Sequence, residues 1–442
     1  MISKYSVLYT ILSLIIGIAV LSGYTSGSKE DSSELGGEVL LVMPSIIERI
    51  SKEAEKIYEE IIDIRRDLHQ HPELSGKEKR TSGVIAKQLK AMGLEVATNV
   101  GGYGVVGILH GKPGGPVVAY RADMDALPQN IMENVSFKSV NKGISHACGH
   151  DVHVTVGLGI AKVLCSMRDE FSGTVKFIFQ PSEENIKGAK AMIADGVLEN
   201  PKPDFIFAIH VAPLEVGQMA TMPGGGLPGY ERYKITLAGN EKLKEATRST
   251  LKALRAIGTV AFPRNMKEYE KILRATLQKD SFLNDFIFIM AHKDSKKSSD
   301  EKVVITGGLK AAKSDGYTRA HKQIKKILAD LDKNNIKADV EFGKRFPAMI
   351  CDKVIAEEAI APIEAILGKN SVIVSYGMIP FHGEDFALFL EKIPGAMFYL
   401  GGSNTPKNII AAPHSPIFCV DEQSILVGVK AMTNLIIHYL SK

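Results

Sequence analysis

The chain of 442 residues is 45% apolar and 24% charged, which excludes disorder, a collagen repeat or a coiled coil for its bulk. Its 54 Lys and Arg against 50 Asp and Glu leave a net charge of only +4, so nothing calls for a nucleic acid or an acidic surface as partner. Four cysteines are too few for a disulfide framework, and at roughly 100–200 residues per domain the length holds about two to four domains.

At the N-terminus, Lys4 precedes an apolar run from Val7 to Leu21, and Ser22-Gly23-Tyr24-Thr25-Ser26-Gly27-Ser28 follows. The run is shorter than the ~20 residues that span a bilayer comfortably. A short positive region, an apolar core and a small polar tail form the pattern of a secretory signal. Val20-Leu21-Ser22-Gly23 is like the start of a bacterial lipoprotein cleavage site, but Tyr24 stands where the lipidated cysteine is needed. The expectation is an exported protein whose residues 1–28 are either cleaved as a signal peptide or kept as a membrane tether. A Ser/Gly/Glu-rich linker follows over residues 29–45.

From Ile46 to Leu68, apolar residues recur three or four apart, which predicts a helix. A second helix is predicted over Lys79–Met92, stopped by Gly93. Val- and Ile-rich runs bounded by Gly or Pro then read as strands at Leu94–Thr98, Val105–His110, Val117–Arg121 and Thr174–Phe179. Helical stretches at Val152–Met167 and Gly188–Asp195 interleave them, so the class is α/β with a mixed sheet covered by helices. The texture changes over 233–345: a strand at Tyr233–Leu237, Lys-rich helices at Lys242–Ile257 and Met266–Leu277, and an apolar run at Phe282–Met290. A polar loop at His292–Lys302 comes next, then a strand at Val303–Thr306, a helix at Ala320–Asp332 and a strand at Lys337–Phe342. This predicts a smaller α+β insertion within a discontinuous catalytic domain made of residues 46–232 and 346–442.

Four segments carry chemistry. Ser145-His146-Ala147-Cys148-Gly149-His150-Asp151-Val152-His153 packs three imidazoles, a thiol and a carboxylate into one turn and helix start. Cys and His are the commonest ligands of zinc and similar metals. Phe177-Ile178-Phe179-Gln180-Pro181-Ser182-Glu183-Glu184 runs an apolar strand into two adjacent carboxylates. Neighbouring residues leaving a strand point in different directions, so one can bind metal while the other faces a water as general base. His210 ends an apolar strand at Phe205–Ile209, and His414 lies in Ala412-Pro413-His414-Ser415-Pro416. Gly102-Tyr103-Gly104-Val105-Val106-Gly107 fits a dinucleotide fingerprint, but a strand and no helix follows it, so it reads as a hairpin turn. Cys165, Cys351 and Cys419 sit in apolar settings and read as core residues.

In this order, the segments resemble the M20 metallopeptidase superfamily, and within it the N-acyl-amino-acid amidohydrolases that include hippurate and auxin-conjugate hydrolases. The resemblance also takes in Asp67-Leu68-His69-Gln70-His71-Pro72-Glu73-Leu74, Arg121-Ala122-Asp123-Met124-Asp125-Ala126-Leu127-Pro128, Gly383-Glu384-Asp385-Phe386 and Phe418, and spans residues 60–230 and 345–440. It implies two divalent ions, as Mn²⁺, Zn²⁺ or Co²⁺, with Cys148, His150, Glu184, His210 and His414 as ligands. It also implies Glu183 as general base and acid, and Asp125 as an acidic group behind the metal. Which ligand serves which ion, and whether Cys148 bridges, stays open. The substrate implied is a small N-acyl amino acid or short peptide, and the insertion would be a lid or a homodimer contact.

The insertion departs from the family. A Gly-Gly-His-Gly-Ala-like motif after its first strand is replaced by Ala238-Gly239-Asn240-Glu241-Lys242-Leu243, without a histidine. His292 or His321 is a candidate substitute, and nothing in the sequence favours either. Gly316-Tyr317-Thr318-Arg319-Ala320 resembles the family's Gly-Thr-Val-Arg-Thr segment, which makes Arg319 the candidate substrate-carboxylate contact. The competing readings are a dipeptidase or carboxypeptidase of the same superfamily, and a metal-binding pseudoenzyme.

Overall fold

The structure is a computed structural model that describes residues 44–239 and 241–442. The strands begin with β1 (Glu95–Val100), β2 (Gly104–His110), β3 (Lys112–Asp123), β4 (Ser172–Gln180), β5 (Phe205–Glu215) and β6 (Met219–Thr221). They continue with β7 (Gly226–Leu227), β8 (Glu231–Ala238), β9 (Ile287–Lys293), β10 (Lys302–Ala311), β11 (Lys337–Phe342) and β12 (Met349–Ile350). β13 (Val372–Val374) and β14 (Gly395–Ser403) complete them.

Two compact units result. The first holds residues 44–224, 351–374 and 388–442; the second holds Gly225–Ile350 and Ser375–Ala387. This division differs from the one expected over 233–345: the second unit starts earlier, ends later and takes in a separate stretch, 375–387, that sequence texture assigned to the catalytic domain.

The first unit is built on an eight-stranded sheet in the order β1-β2-β4-β3-β5-β14-β6-β13. β1, β2 and β4 pair antiparallel; β4, β3, β5 and β14 are parallel; β6 returns antiparallel to β14, and β13 runs parallel to β6. The mixed sheet follows from the chain. Gly101 and Gly102, both at positive φ, turn the β1–β2 hairpin, while the parallel strands need helical crossovers. The central strands read as unbroken apolar runs because helices cover both their faces: Phe177, Ile178 and Phe179 of β4 are all buried. The helices His150–Ser166 and Gln423–Leu440, apolar over most of their surface, are buried for most of their length.

The first helical pattern is two helices, Pro44–Lys56 and Tyr58–Gln70, meeting at Ile57. The predicted stripe survives the joint, with Ile50, Ala54, Ile57, Ile61, Ile64 and Leu68 all buried.

In the second unit, β8–β11 form an antiparallel sheet in the order β11-β8-β10-β9. β8 alternates in burial, so one face is covered: Tyr233, Ile235 and Leu237 join Leu254, Val303, Ile305, Leu309 and Ile324 in one core. The helix expected at Ala320–Asp332 runs instead over Ser314–Ala329. Its start escapes sequence reading because Ser314-Asp315-Gly316 has the look of a turn. Gly316 is there for packing: a Cβ on it would lie 2.8 Å from the Ala311 side chain.

The expectation of export is corrected. Residues 1–28 and the linker up to residue 43 lie outside the described residues, and no helix of the described residues is long and apolar enough to cross a membrane. Nothing in the structure supports export.

Ile305 is wholly buried in the core of the second unit. Ile305→Ala is expected to destabilise that unit by about 2–5 kcal/mol, through lost transfer energy and the cavity left behind. Denaturant dependence of amide exchange in β8 and β10 measures it.

Candidate metal centre

β3, β4 and β5 are parallel neighbours, so their C-terminal ends share one rim, where open α/β sheets place ligands. Each delivers a functional group. β3 ends at Asp123, opposite Gln180, and the Met124 N–H donates to Gln180 O at 3.0 Å, which carries the register on to Asp125. Past β4, Pro181 interrupts the ladder and Ser182 takes a left-handed conformation, φ 58°. That turn aims two successive N–H groups at one carboxylate: Glu183 donates to Asp125 Oδ1 at 3.0 Å and Glu184 to Oδ2 at 3.1 Å. Ser75 Oγ donates to the same carboxylate at 2.6 Å. β5 carries His210.

The helix His150–Ser166 starts at the same rim. Gly149, φ 86°, precedes it, and a Cβ there would lie 3.1 Å from Val211 and 3.2 Å from Phe418. Only glycine meets both the left-handed backbone and the close approach, and this brings Cys148 and His150 against β5. His414, itself at φ 62°, donates its N–H to Ala147 O at 2.8 Å, tying the 412–416 loop to the cysteine turn.

The five expected ligands come together in the first unit as two groups. Cys148, His150 and His210 form one; Cys148, Glu184 and His414 form the other. Cys148 belongs to both. Its Sγ is 3.4 Å from His210 Nε2, and Glu184 Oε1 is 3.5 Å from His414 Nε2. The Nε2 of His150 lies 3.7 Å from Asp123 Oδ1, 3.8 Å from Glu184 Oε1 and 4.0 Å from Glu183 Oε2. These spacings are too long for hydrogen bonds, and this buried Nε2 has no hydrogen-bond partner among the described residues. Thiol, imidazole and carboxylate donors converging at such distances fit a divalent ion, which binds each at about 2.0–2.3 Å.

Hydrogen bonds set which imidazole nitrogens can bind. His210 Nδ1 is 2.8 Å from the Val211 carbonyl, so it carries the proton and leaves Nε2 with a lone pair facing Cys148. His150 Nδ1 faces Asp125 Oδ1 at 3.5 Å. Burial lowers the His210 pKa to about 4 against the pull of Asp123, so the ring is neutral. His150 behaves differently: burial opposes its charge, but Asp123, Glu184 and Asp125 raise it to about 10. Burial, with Glu184, Glu183 and Asp123 close by, pushes the Cys148 thiol well up. Burial also works against a charge on Glu184, yet His414 and His150 hold it down at about 2.

Three residues without an assigned role prove structural to the site. Asp123 and Arg121 are buried together, with Arg121 Nη1 donating to Asp123 Oδ2 at 2.6 Å and Nε to Gln180 Oε1 at 2.9 Å. His153 contacts the other oxygen of Asp123. One signal was available: Asp123 and Asp125 alternate at a strand end. Beyond them, Asp151 is held by Arg65 at 2.9 Å and His69 at 2.7 Å, which anchors the helix start beside His150. Cys351 is buried, as expected of a core residue, while Cys165 and Cys419 are half-buried.

In the second unit, Arg319 lies on the exposed face of Ser314–Ala329 and pairs with Asp285 at 2.5 Å and with Asp315. His292 is hydrogen-bonded to Thr306 at 2.9 Å, and His321 to Glu231 at 2.5 Å with its ring on Phe342. Asn240 lies outside the described residues.

Residues 119–438 match the model of peptidase family M20/M25/M40. Thermostable carboxypeptidase 2 of Saccharolobus solfataricus is 32% identical over 90% of this chain and 100% of its own length. The IAA-amino acid hydrolase ILR1-like 4 of Arabidopsis thaliana is 30% identical over 86% of each chain. Among solved structures, the YXEP protein of Bacillus subtilis, a dinuclear metal-binding peptidase of the M20 family, superposes with a TM-score of 0.72 at 27% identity, covering 88% of this chain and 99% of its own.

The metal-free thiol of Cys148 and imidazolium of His150 both hold their protons at neutral pH. Both must deprotonate to ligate, so ion uptake is expected to release about two protons and to tighten as pH rises from 6 to 9. Calorimetric titration in buffers of different ionisation enthalpy counts them.

Proposed function

The chain belongs to peptidase family M20/M25/M40, and from that premise we propose that it is an N-acyl-amino-acid amidohydrolase that uses Glu183 as its base. It is a metal-dependent hydrolase of amide bonds. The role of Glu183 rests on one observation: two three-residue donor groups share Cys148, and the Glu183 carboxylate stands near His150 of one and Glu184 of the other. The substrate class is supported by the similarity to the IAA-amino acid hydrolase ILR1-like 4.

Cys148, His150 and His210 would hold one divalent ion and Cys148, Glu184 and His414 the other, with the thiolate as the shared ligand. Mn²⁺, Zn²⁺ and Co²⁺ all suit a donor set of this mixed softness. Bound there, the ions supply Lewis acidity, lowering the pKa of water to about 7 and drawing charge from the amide carbonyl. The protein supplies the rest. Asp125, through the N–H groups of Glu183 and Glu184, fixes two adjacent carboxylates in divergent directions, one to ligate and one to work. Glu183 takes the proton of the attacking water on a carboxylate oxygen and returns it to the leaving nitrogen. A carboxylic acid and a free amino acid leave.

A carboxypeptidase is the second reading, favoured by the similarity to thermostable carboxypeptidase 2. Hydrolysis of N-acetyl and N-benzoyl amino acids, compared with dipeptides under Mn²⁺, Co²⁺ and Zn²⁺, decides between them. The first reading expects the acyl amino acids to have the higher kcat/KM. Turnover of neither class would overturn both readings and assign the hydrolase a different amide substrate.

Glu183→Gln is expected to keep two ions per chain and lose about 10²–10⁴ in kcat. Cys148→Ala is expected to lower the ion count below two, read by elemental analysis after gel filtration.

A further inference from the structure

One buried imidazole beside the centre falls in a donor group with Asp123 and His150, yet its hydrogen bonds commit it elsewhere. His153 lies one turn along the helix from His150, wholly buried. Its Nδ1 is 2.5 Å from Asp123 Oδ1, and its Nε2 accepts the Val211 N–H at 2.8 Å. A backbone N–H can only donate, so Nε2 must carry the lone pair and Nδ1 the proton. Both ring nitrogens are thus committed, and neither can reach a metal without giving up a buried hydrogen bond.

The Val211 peptide joins this to the ligand set. Val211 gives its N–H to His153, and its carbonyl receives the Nδ1–H of His210. His153 packs edge-on against His210, ring centroids 4.8 Å apart, and lies 5.3 Å from His150. Asp123, held in turn by Arg121 at 2.6 Å, anchors the far end. The chain Arg121–Asp123–His153–Val211 therefore spans from β3 through the helix to β5. It fixes the gap between His150, on the helix, and His210, on the strand.

We propose that His153 is a positioning residue that sets His210 relative to His150, and through them controls occupancy of the ion bound by Cys148, His150 and His210. This rests on the two-ion reading above. The Glu184–His414 group draws on neither Val211 nor His153, so its ion is spared. The inference separates the two ions: one depends on a buried hydrogen-bond chain, the other on the 412–416 loop.

The test compares full-length wild type, His153→Leu and His153→Gln by Co²⁺ equilibrium dialysis, with the thiolate-to-cobalt charge-transfer band as a second readout. Leucine removes the acceptor for Val211 N–H; glutamine restores one at similar reach. His153→Leu is expected to weaken one of the two ions by about 10–100-fold while the thiolate band of the other persists. His153→Gln is expected to recover most of that loss. Two ions bound by His153→Leu as tightly as by wild type would overturn the inference and leave the two-ion reading intact. Fewer than two ions on wild type would sink both. Should leucine prevent folding, nitrogen-15 NMR of the wild-type imidazoles decides: a proton on Nδ1 of His153 supports the clamp, and a proton on Nε2 refutes it.

Discussion

Two buried carboxylates at the end of one strand organise everything around the centre. Asp125 receives the N–H groups of Glu183 and Glu184 and the hydroxyl of Ser75; Asp123 receives Arg121 and His153. Neither needs to touch substrate. Burying a carboxylate costs several kcal/mol unless its oxygens are filled by donors. Here the donors come from the segments that must be placed, so satisfying the carboxylates and positioning the ligands are one event. Removing the Asp125 oxygens would strand two backbone N–H groups and release the Glu183-Glu184 turn together.

The same economy explains why charge is concentrated where burial is deepest. Asp123 is held well below the usual carboxylate range, burial notwithstanding, by His150, Arg121 and His153. Without bound ions the rim mixes a protonated thiol, an imidazolium and ionised carboxylates. Ions held there would take over the positive charge that His150 carries in the metal-free centre. Ion binding in such a site is coupled to proton release and to the stability of the rim itself.

The second unit has its own antiparallel sheet and core. The sequence directly after β8, Gly239 to Leu243, holds no histidine, and Arg319, Asp285 and Asp315 form a surface ion-pair group. Exposed pairs of this kind are worth about 0–1 kcal/mol.

What the sequence by itself determined is local and chemical. Helical and strand periodicities placed most elements to within a few residues, since the pattern of burial is written in side chains three to four, or two, apart. The thiol, imidazoles and adjacent carboxylates were legible because metal and proton chemistry admits few residue types, and their order marked the family. Tertiary structure alone decided the rest. That Cys148 belongs to two donor groups depends on His210 and His414, 62 and 266 residues further on, arriving at one turn. That a ring nitrogen of His153 faces a backbone N–H while one of His210 faces a carbonyl is a direction no spacing encodes. And the stretch 375–387 joins the second unit although its composition is that of the first, because membership of a core is set by contacts across hundreds of residues and not by local texture.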